Sequence, residues 1–277
     1  METKRLTITP LAGALGARVE GLDLREPLED GALRAVSAAL DEHLVLIFPG
    51  QHLDDAQQLA FARRFGEPYI HPLGRIAGAT EARVEHIVDA HDSRPYQDRW
   101  HTDVTFDVHP PTVGTLRAIE IPERGGDTVW ANMIAAWDAL SPAMQGALEG
   151  LVGVHDSGAG EAFREKVGEE LTRRLEAQFQ GTPHPLVREH PRTGRRYLYA
   201  NAQFTRSIQG MTPQESDALL GFLAEHVKNP NYHYRHRWTP GELGLWDERA
   251  TQHFAVADHY PQRREMGRMV VREAASA

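Results

Sequence analysis

Apolar residues in this chain come in short runs punctuated by turn residues, and that pattern limits its fold more than any other feature. Residues 5–9 alternate apolar and polar side chains, and residues 17–24 do so again after a glycine-containing turn. Val45–Phe48, stopped by Pro49-Gly50, reads as a short buried strand. Further strands are expected over residues 112–119, 127–130, 186–188, 197–199, 232–238, 243–246 and 269–271, with one more near 83–88. Helical spacing covers about residues 30–42, a segment after Asp54, residues 132–150 with a restart at Ser141-Pro142, and a segment opened by Thr212-Pro213-Gln214-Glu215. The helices flank the strands and do not alternate with them. This order predicts an α+β, mainly β fold, a barrel or jelly roll with helices packed outside. A doubly wound parallel sheet is not expected, since no glycine-rich phosphate loop follows a strand.

No repeat or low-complexity linker divides the chain, so one domain over residues 1–277 is expected, with loop or lid segments near 66–99 and 156–185. Thirty Lys and Arg against 39 Asp and Glu leave a formal charge of −9, which argues against nucleic acid as a partner. No apolar run approaches the roughly 18–20 residues of a membrane span, and no signal-peptide pattern opens the chain. Cysteine is absent, which excludes disulfides, thiolate metal centres and thiol nucleophiles. A cytoplasmic location is the resulting expectation. Any metal must be held by His, Asp, Glu or backbone.

Within Trp100-His101-Thr102-Asp103-Val104-Thr105-Phe106, an imidazole and a carboxylate stand two positions apart. On a strand they would share one face, about 6–7 Å apart, within reach of one ion. Fifteen histidines are present, and most histidines in such a protein are ordinary surface or core residues. His101 differs in belonging to a His-x-Asp on an expected strand. His253, in the stretch Trp246 to Val256, is the best third ligand. Two histidines and one carboxylate suit a non-haem Fe(II) oxygenase, and they also serve zinc hydrolases, although no His-Glu-x-x-His helix is present. Arg264 and Arg268 favour the oxygenase, because 2-oxoglutarate needs a bidentate partner for its distal carboxylate. Thr128, after Gly125-Gly126-Asp127, can add a hydroxyl to that anchor.

Together the segment 100–106, Gly125-Gly126-Asp127-Thr128, and Trp246-Asp247 through His253 to Arg264 and Arg268 resemble the taurine dioxygenase family nearly end to end. The resemblance implies a double-stranded β-helix (jelly roll) and a reaction that couples decarboxylation of 2-oxoglutarate, with Fe(II) and O2, to hydroxylation of a C–H bond. It implies His101, Asp103 and His253 as iron ligands, and Thr128 and Arg264 as partners of 2-oxoglutarate. For a small anionic substrate it implies Arg268, His71, the backbone N–H of Val104, Phe204 and Gln97. The family's tyrosine three residues after His71 is Gly74 here, its asparagine near the substrate amine aligns with Gln97, and its Asn after Trp-Asp is Glu248. Its Ser-Phe pair has no clear match in residues 158–163. The anion end is thus kept and the amine end altered. Taurine or a related alkyl sulfonate is the expected substrate, with alkyl sulfates and aryloxyalkanoates as alternatives. A zinc hydrolase and a non-catalytic jelly-roll binding protein are the readings from other classes. Relatives imply a homo-oligomer, dimer or tetramer.

Overall fold

The computed structural model describes residues 5–95 and 98–273. Strands β1 (Thr7–Pro10) and β2 (Ala17–Glu20) form an opening hairpin, followed by helix α1 (Asp30–His43) and strand β3 (Val45–Phe48). Helix α2 (Asp55–Ala62) begins at a reciprocal cap, in which Asp54 accepts from the Gln57 N–H and Gln57 accepts from the Asp54 N–H. Strand β4 (Glu67–Pro68), helix α3 (Pro72–Ile76), strand β5 (Glu85–Asp89), strand β6 (Val113–Glu120) and strand β7 (Thr128–Asn132) come next. Helices α4 (Met133–Asp138) and α5 (Pro142–Leu148) lead to strand β8 (Val152–His155), helices α6 (Glu161–Val167) and α7 (Glu169–Gln178), and strand β9 (Thr182–Pro185). The hairpin β10 (Val187–Glu189) and β11 (Arg196–Leu198), strand β12 (Thr205–Ile208) and helix α8 (Pro213–Val227) follow. Strands β13 (His233–His236), β14 (Leu243–Asp247), β15 (Thr251–Ala255) and β16 (Arg264–Arg272) end the fold.

The result is a mixed α/β protein built mostly of sheets. An eight-stranded sheet runs β1-β2-β3-β14-β6-β16-β4, with β5 also paired to β16, and only β2 and β3 run parallel. One three-stranded sheet runs β13-β7-β15 and another β12-β8-β9, and β10 and β11 form a two-stranded sheet. Side chains alternate across the large sheet as strand geometry requires. Val45 and Ile47 of β3 join Trp130, Trp238 and Trp246 in a core shared with the three-stranded sheet. Leu46 and Phe48 face the opposite way, onto Val36, Leu40 and Phe61 of α1 and α2. Gly114 on β6 allows the inner core to close: a Cβ there would lie 2.3 Å from the Trp246 ring. Among the described residues no helix is long and apolar enough to cross a membrane.

Two expectations need correction. The segment after His101 is not a strand: His101 makes an isolated bridge to His253, and residues 103–106 turn, with Val104 at φ 55°. The last strand is far longer than residues 269–271. It starts at Arg264, because β5 and β6 pair with its charged first half. Strands β8, β12 and β15 were also not expected as separate elements.

Candidate active site

The turn at Asp103 brings the histidine–aspartate pair closer than a strand would. His101 Nε2 lies 3.5 Å from Asp103 Oδ1, and His253 Nε2 lies 3.8 Å from the same oxygen. One ligand atom from each of the three residues falls within 4.8 Å of the others, and all three side chains are buried. The His101–His253 bridge fixes the two imidazoles through reciprocal backbone bonds of 3.1 and 2.7 Å. His101 Nδ1 donates to the Arg99 carbonyl at 2.7 Å, which leaves the buried Nε2 as a bare lone pair without a hydrogen-bond partner among the described residues. A buried imidazole lone pair beside a carboxylate and a second imidazole is the donor set of a first-row divalent metal.

Protonation favours ligation. Burial pushes Asp103 upward, but the Arg268 guanidinium outweighs it and holds the carboxyl well below the usual range. Burial, and then His101, pull His253 down to about 3, so it is neutral at pH 7. Glu248 Oε2 accepts from the Asp103 N–H at 3.2 Å. Burial and the Asp103 charge push the Glu248 carboxyl well above the usual carboxylate range.

Two cavities meet at this cluster. Thr128, Trp130, Trp246, His253 and Arg264 line a small one. His71, His101, Asp103, Phe106 and Phe204 line a larger one of about 410 Å³. Arg268 lines both. Arg264 and Arg268, four apart on β16, share the face that Met266 presents to the inner core. Arg264 Nε donates to the Gly126 carbonyl at 2.9 Å, and burial lowers its pKa to about 10, so it remains a cation. Gly126, at φ 73°, permits this approach; a Cβ would sit 2.9 Å from Arg264 Cδ.

In the larger cavity Phe204 stands edge-on to His101 at 6.2 Å. Val104 holds a left-handed conformation that a β-branched residue rarely adopts. His71 caps α3, its Nδ1 accepting from the Leu73 N–H at 3.2 Å, and burial lowers it to about 4. It is therefore a neutral Nε2–H donor near pH 7 and not a cation. Arg268 Nη1 donates to Asp103 Oδ2 at 2.8 Å and Nη2 to Glu85 Oε2 at 2.6 Å. Nine of the ten expected site residues thus line one of the two cavities or the cluster between them, while Gln97 lies outside the described residues. Sequence reasoning missed Glu85, whose proximity to Arg268 follows only from the pairing of β5 with β16. It also noted Glu248 only as a departure, without its bond to Asp103.

Comparison with known proteins gives the same direction. The family model "Taurine catabolism dioxygenase TauD, TfdA family" matches residues 7–270. An alkylsulfatase of Acinetobacter baylyi is 36% identical over 97% of this chain and 86% of that protein. An alpha-ketoglutarate-dependent sulfate ester dioxygenase of Pseudomonas putida is 35% identical over 96% of this chain and 89% of its own length. Among solved structures, a taurine dioxygenase from Burkholderia xenovorans superposes with a TM-score of 0.81 at 34% identity, covering 97% of this chain and 90% of that one.

Proposed function

The chain belongs to the TauD, TfdA family of 2-oxoglutarate-dependent dioxygenases, with Fe(II), 2-oxoglutarate and O2 as its cofactor and cosubstrates, and we propose that it oxidises an alkyl sulfonate or alkyl sulfate at the carbon bearing the acid group. One observation carries this reading: a buried two-histidine, one-carboxylate cluster lies where a cavity holding Arg264 meets a cavity holding Arg268. The two facing sheets support a double-stranded β-helix as the scaffold.

In this reading His101, Asp103 and His253 hold the iron, and Fe(II) bound there supplies the activation of O2 against the keto acid. Arg264 and Thr128 bind the distal carboxylate of 2-oxoglutarate, the guanidinium as a fork and the hydroxyl as a further donor. Arg268 seats the substrate's anion, the neutral His71 donates from Nε2, and the Val104 N–H faces the same end. Phe204 and Phe106 hold the apolar body and exclude water, so that the target C–H bond is oriented toward the metal. The reaction balances as substrate, 2-oxoglutarate and O2 giving hydroxylated substrate, succinate and CO2. A sulfonate hydroxylated at its first carbon then releases sulfite and an aldehyde, and a sulfate ester releases sulfate and an aldehyde.

Gly74 leaves no tyrosine beside His71, so the amine of taurine lacks that partner. An apolar alkyl group fits the lining better, and aryloxyalkanoates remain the further alternative. Segments 66–99 and 156–185 serve as the covering loops of a single domain. The protein works in the cytoplasm, as a dimer or tetramer. A panel of taurine, hexane-1-sulfonate, hexyl sulfate and phenoxyacetate, scored by succinate formed per product, tests the assignment. Coupled turnover of a sulfonate or sulfate is expected; coupling only with phenoxyacetate overturns it.

A further inference from the structure

The seat for the substrate's anion already has an occupant. Glu85 and Arg268 stand opposite each other where β5 pairs with β16, and their side chains are joined at 2.6 Å. The other terminal nitrogen of Arg268 is bound to Asp103, which the iron site also claims. An acid group that takes the nitrogen bound to Glu85 for a two-nitrogen grip on Arg268 must therefore compete with Glu85 for it. The two side chains differ in freedom: Glu85 is 41% exposed and Arg268 only 10%. Glu85 can swing into solvent, whereas the guanidinium stays.

Glu85 is charged in this setting. Burial pushes it upward, but the Arg268 guanidinium outweighs burial and keeps its carboxyl below the usual range. Among the described residues no second buried cation offsets it in the cavity, since His71 is neutral there. Arg99 and Glu161 also line the cavity, but both are exposed and opposite in sign. Beyond Arg268 the wall carries Leu73, Phe106, Phe163, Leu175 and Phe204, with Ser157 and Gln203 as its uncharged polar members.

We propose that Glu85 is a specificity-determining residue, an internal competitor for Arg268 that makes charge alone insufficient and reserves the site for anions carrying an apolar body. Displacing a charge-assisted hydrogen bond costs a small anion most of what the arginine offers. An alkyl chain recovers the loss by burial against the phenylalanines. The inference rests on the proposed role of Arg268 as the anion seat.

The test is equilibrium binding under argon to enzyme loaded with Fe(II) and 2-oxoglutarate, by calorimetry with hexane-1-sulfonate, methanesulfonate and uncharged hexan-1-ol. Wild-type protein is expected to bind hexane-1-sulfonate and to bind methanesulfonate at least about tenfold more weakly. Glu85→Gln is expected to tighten both sulfonates by about tenfold and to leave hexan-1-ol unchanged. Glu85→Leu, which also removes any amide contact to Arg268, is expected to do the same. Sulfonate affinities unchanged or weakened in both variants overturn the proposal, as does an equal gain for hexan-1-ol, which signals a loosened cavity. Arg268→Ala separates the two readings. Undiminished sulfonate binding in that variant removes the anion seat itself, whereas lost binding there with unaltered Glu85 variants removes only the competitor.

Discussion

The indole Nε1–H of Trp238 donates to Thr128 Oγ1 at 2.9 Å, which commits one lone pair of the hydroxyl and leaves its proton to be donated into the cavity shared with Arg264. The hydroxyl proposed as a donor to the cosubstrate is thus oriented by a side chain just past the end of β13. Thr128→Val keeps the shape and removes the donor. The KM for 2-oxoglutarate is expected to rise about tenfold, the usual weight of a hydrogen bond to a charged group, with a smaller rise in Trp238→Phe. Initial rates of succinate formation across 2-oxoglutarate concentrations measure both. An unchanged KM in Thr128→Val removes Thr128 from the anchor.

Arg264 and Arg268 lie on one strand face, but only Arg268 also lines the larger cavity, so their variants should fail differently. Arg264→Ala is expected to abolish succinate formation, and Arg264→Lys to raise the KM for 2-oxoglutarate more than about tenfold because the ammonium lacks the planar fork. Arg268→Ala is expected to keep substrate-independent succinate formation while losing coupling to product. Succinate release at the wild-type rate from the Arg264→Ala enzyme refutes the cosubstrate assignment.

The parts of this site readable from sequence were those set by local chemistry. Alternation and Pro49-Gly50 marked Val45–Phe48, and the reciprocal cap at Thr212 and Glu215 marked the start of α8. The proposed metal ligands His101 and Asp103 could be singled out because two donors stood two residues apart and cysteine was absent. The turn after His101 was not readable. It is held in part by Glu248, 145 residues away, which accepts the Asp103 N–H in place of a strand neighbour. The first half of β16 was hidden because Arg264, Glu265, Gly267 and Arg268 carry little hydrophobic pattern; its pairing with β5 and β6 makes it a strand. Glu85 was hidden for the same reason, since the residue opposite it lies 183 positions away.

Buried histidines should make the fold sensitive to acid. Burial, followed by His184, Arg188 and Arg206, pushes His155 down to about 3, and burial lowers His71 to about 4. Between these values and the unfolded pKa near 6.5, the unfolded chain takes up protons that the folded one refuses. Stability from these groups is therefore intact above about pH 6.5 and falls as the pH drops toward 4. His155 alone is expected to cost about 2 kcal/mol between pH 7 and pH 5. Urea unfolding at both pH values measures it, and His155→Gln should show a smaller drop than wild type. An equal drop in the variant assigns the acid sensitivity elsewhere.

The inner core depends on a missing methyl group. Gly114→Ala places a Cβ against the Trp246 indole, at 2.3 Å before relaxation, on the strand next to the one that leads to Glu248 and His253. A loss of roughly 1–3 kcal/mol in unfolding free energy is expected from overpacking. Thermal unfolding of the metal-free proteins checks this directly, and an unchanged midpoint shows that the indole can move aside.

The central claim is that His101, Asp103 and His253 form one iron site next to the Arg264 cavity. Its most direct test is an anaerobic titration of the metal-free protein with Fe(II) and 2-oxoglutarate, followed by visible absorption. A weak charge-transfer band is expected in the wild type, saturating at one Fe(II) per chain, absent in His101→Ala, and requiring far more 2-oxoglutarate in Arg264→Lys. A wild-type protein that develops no band, or a His101→Ala protein that develops the same band, contradicts the claim.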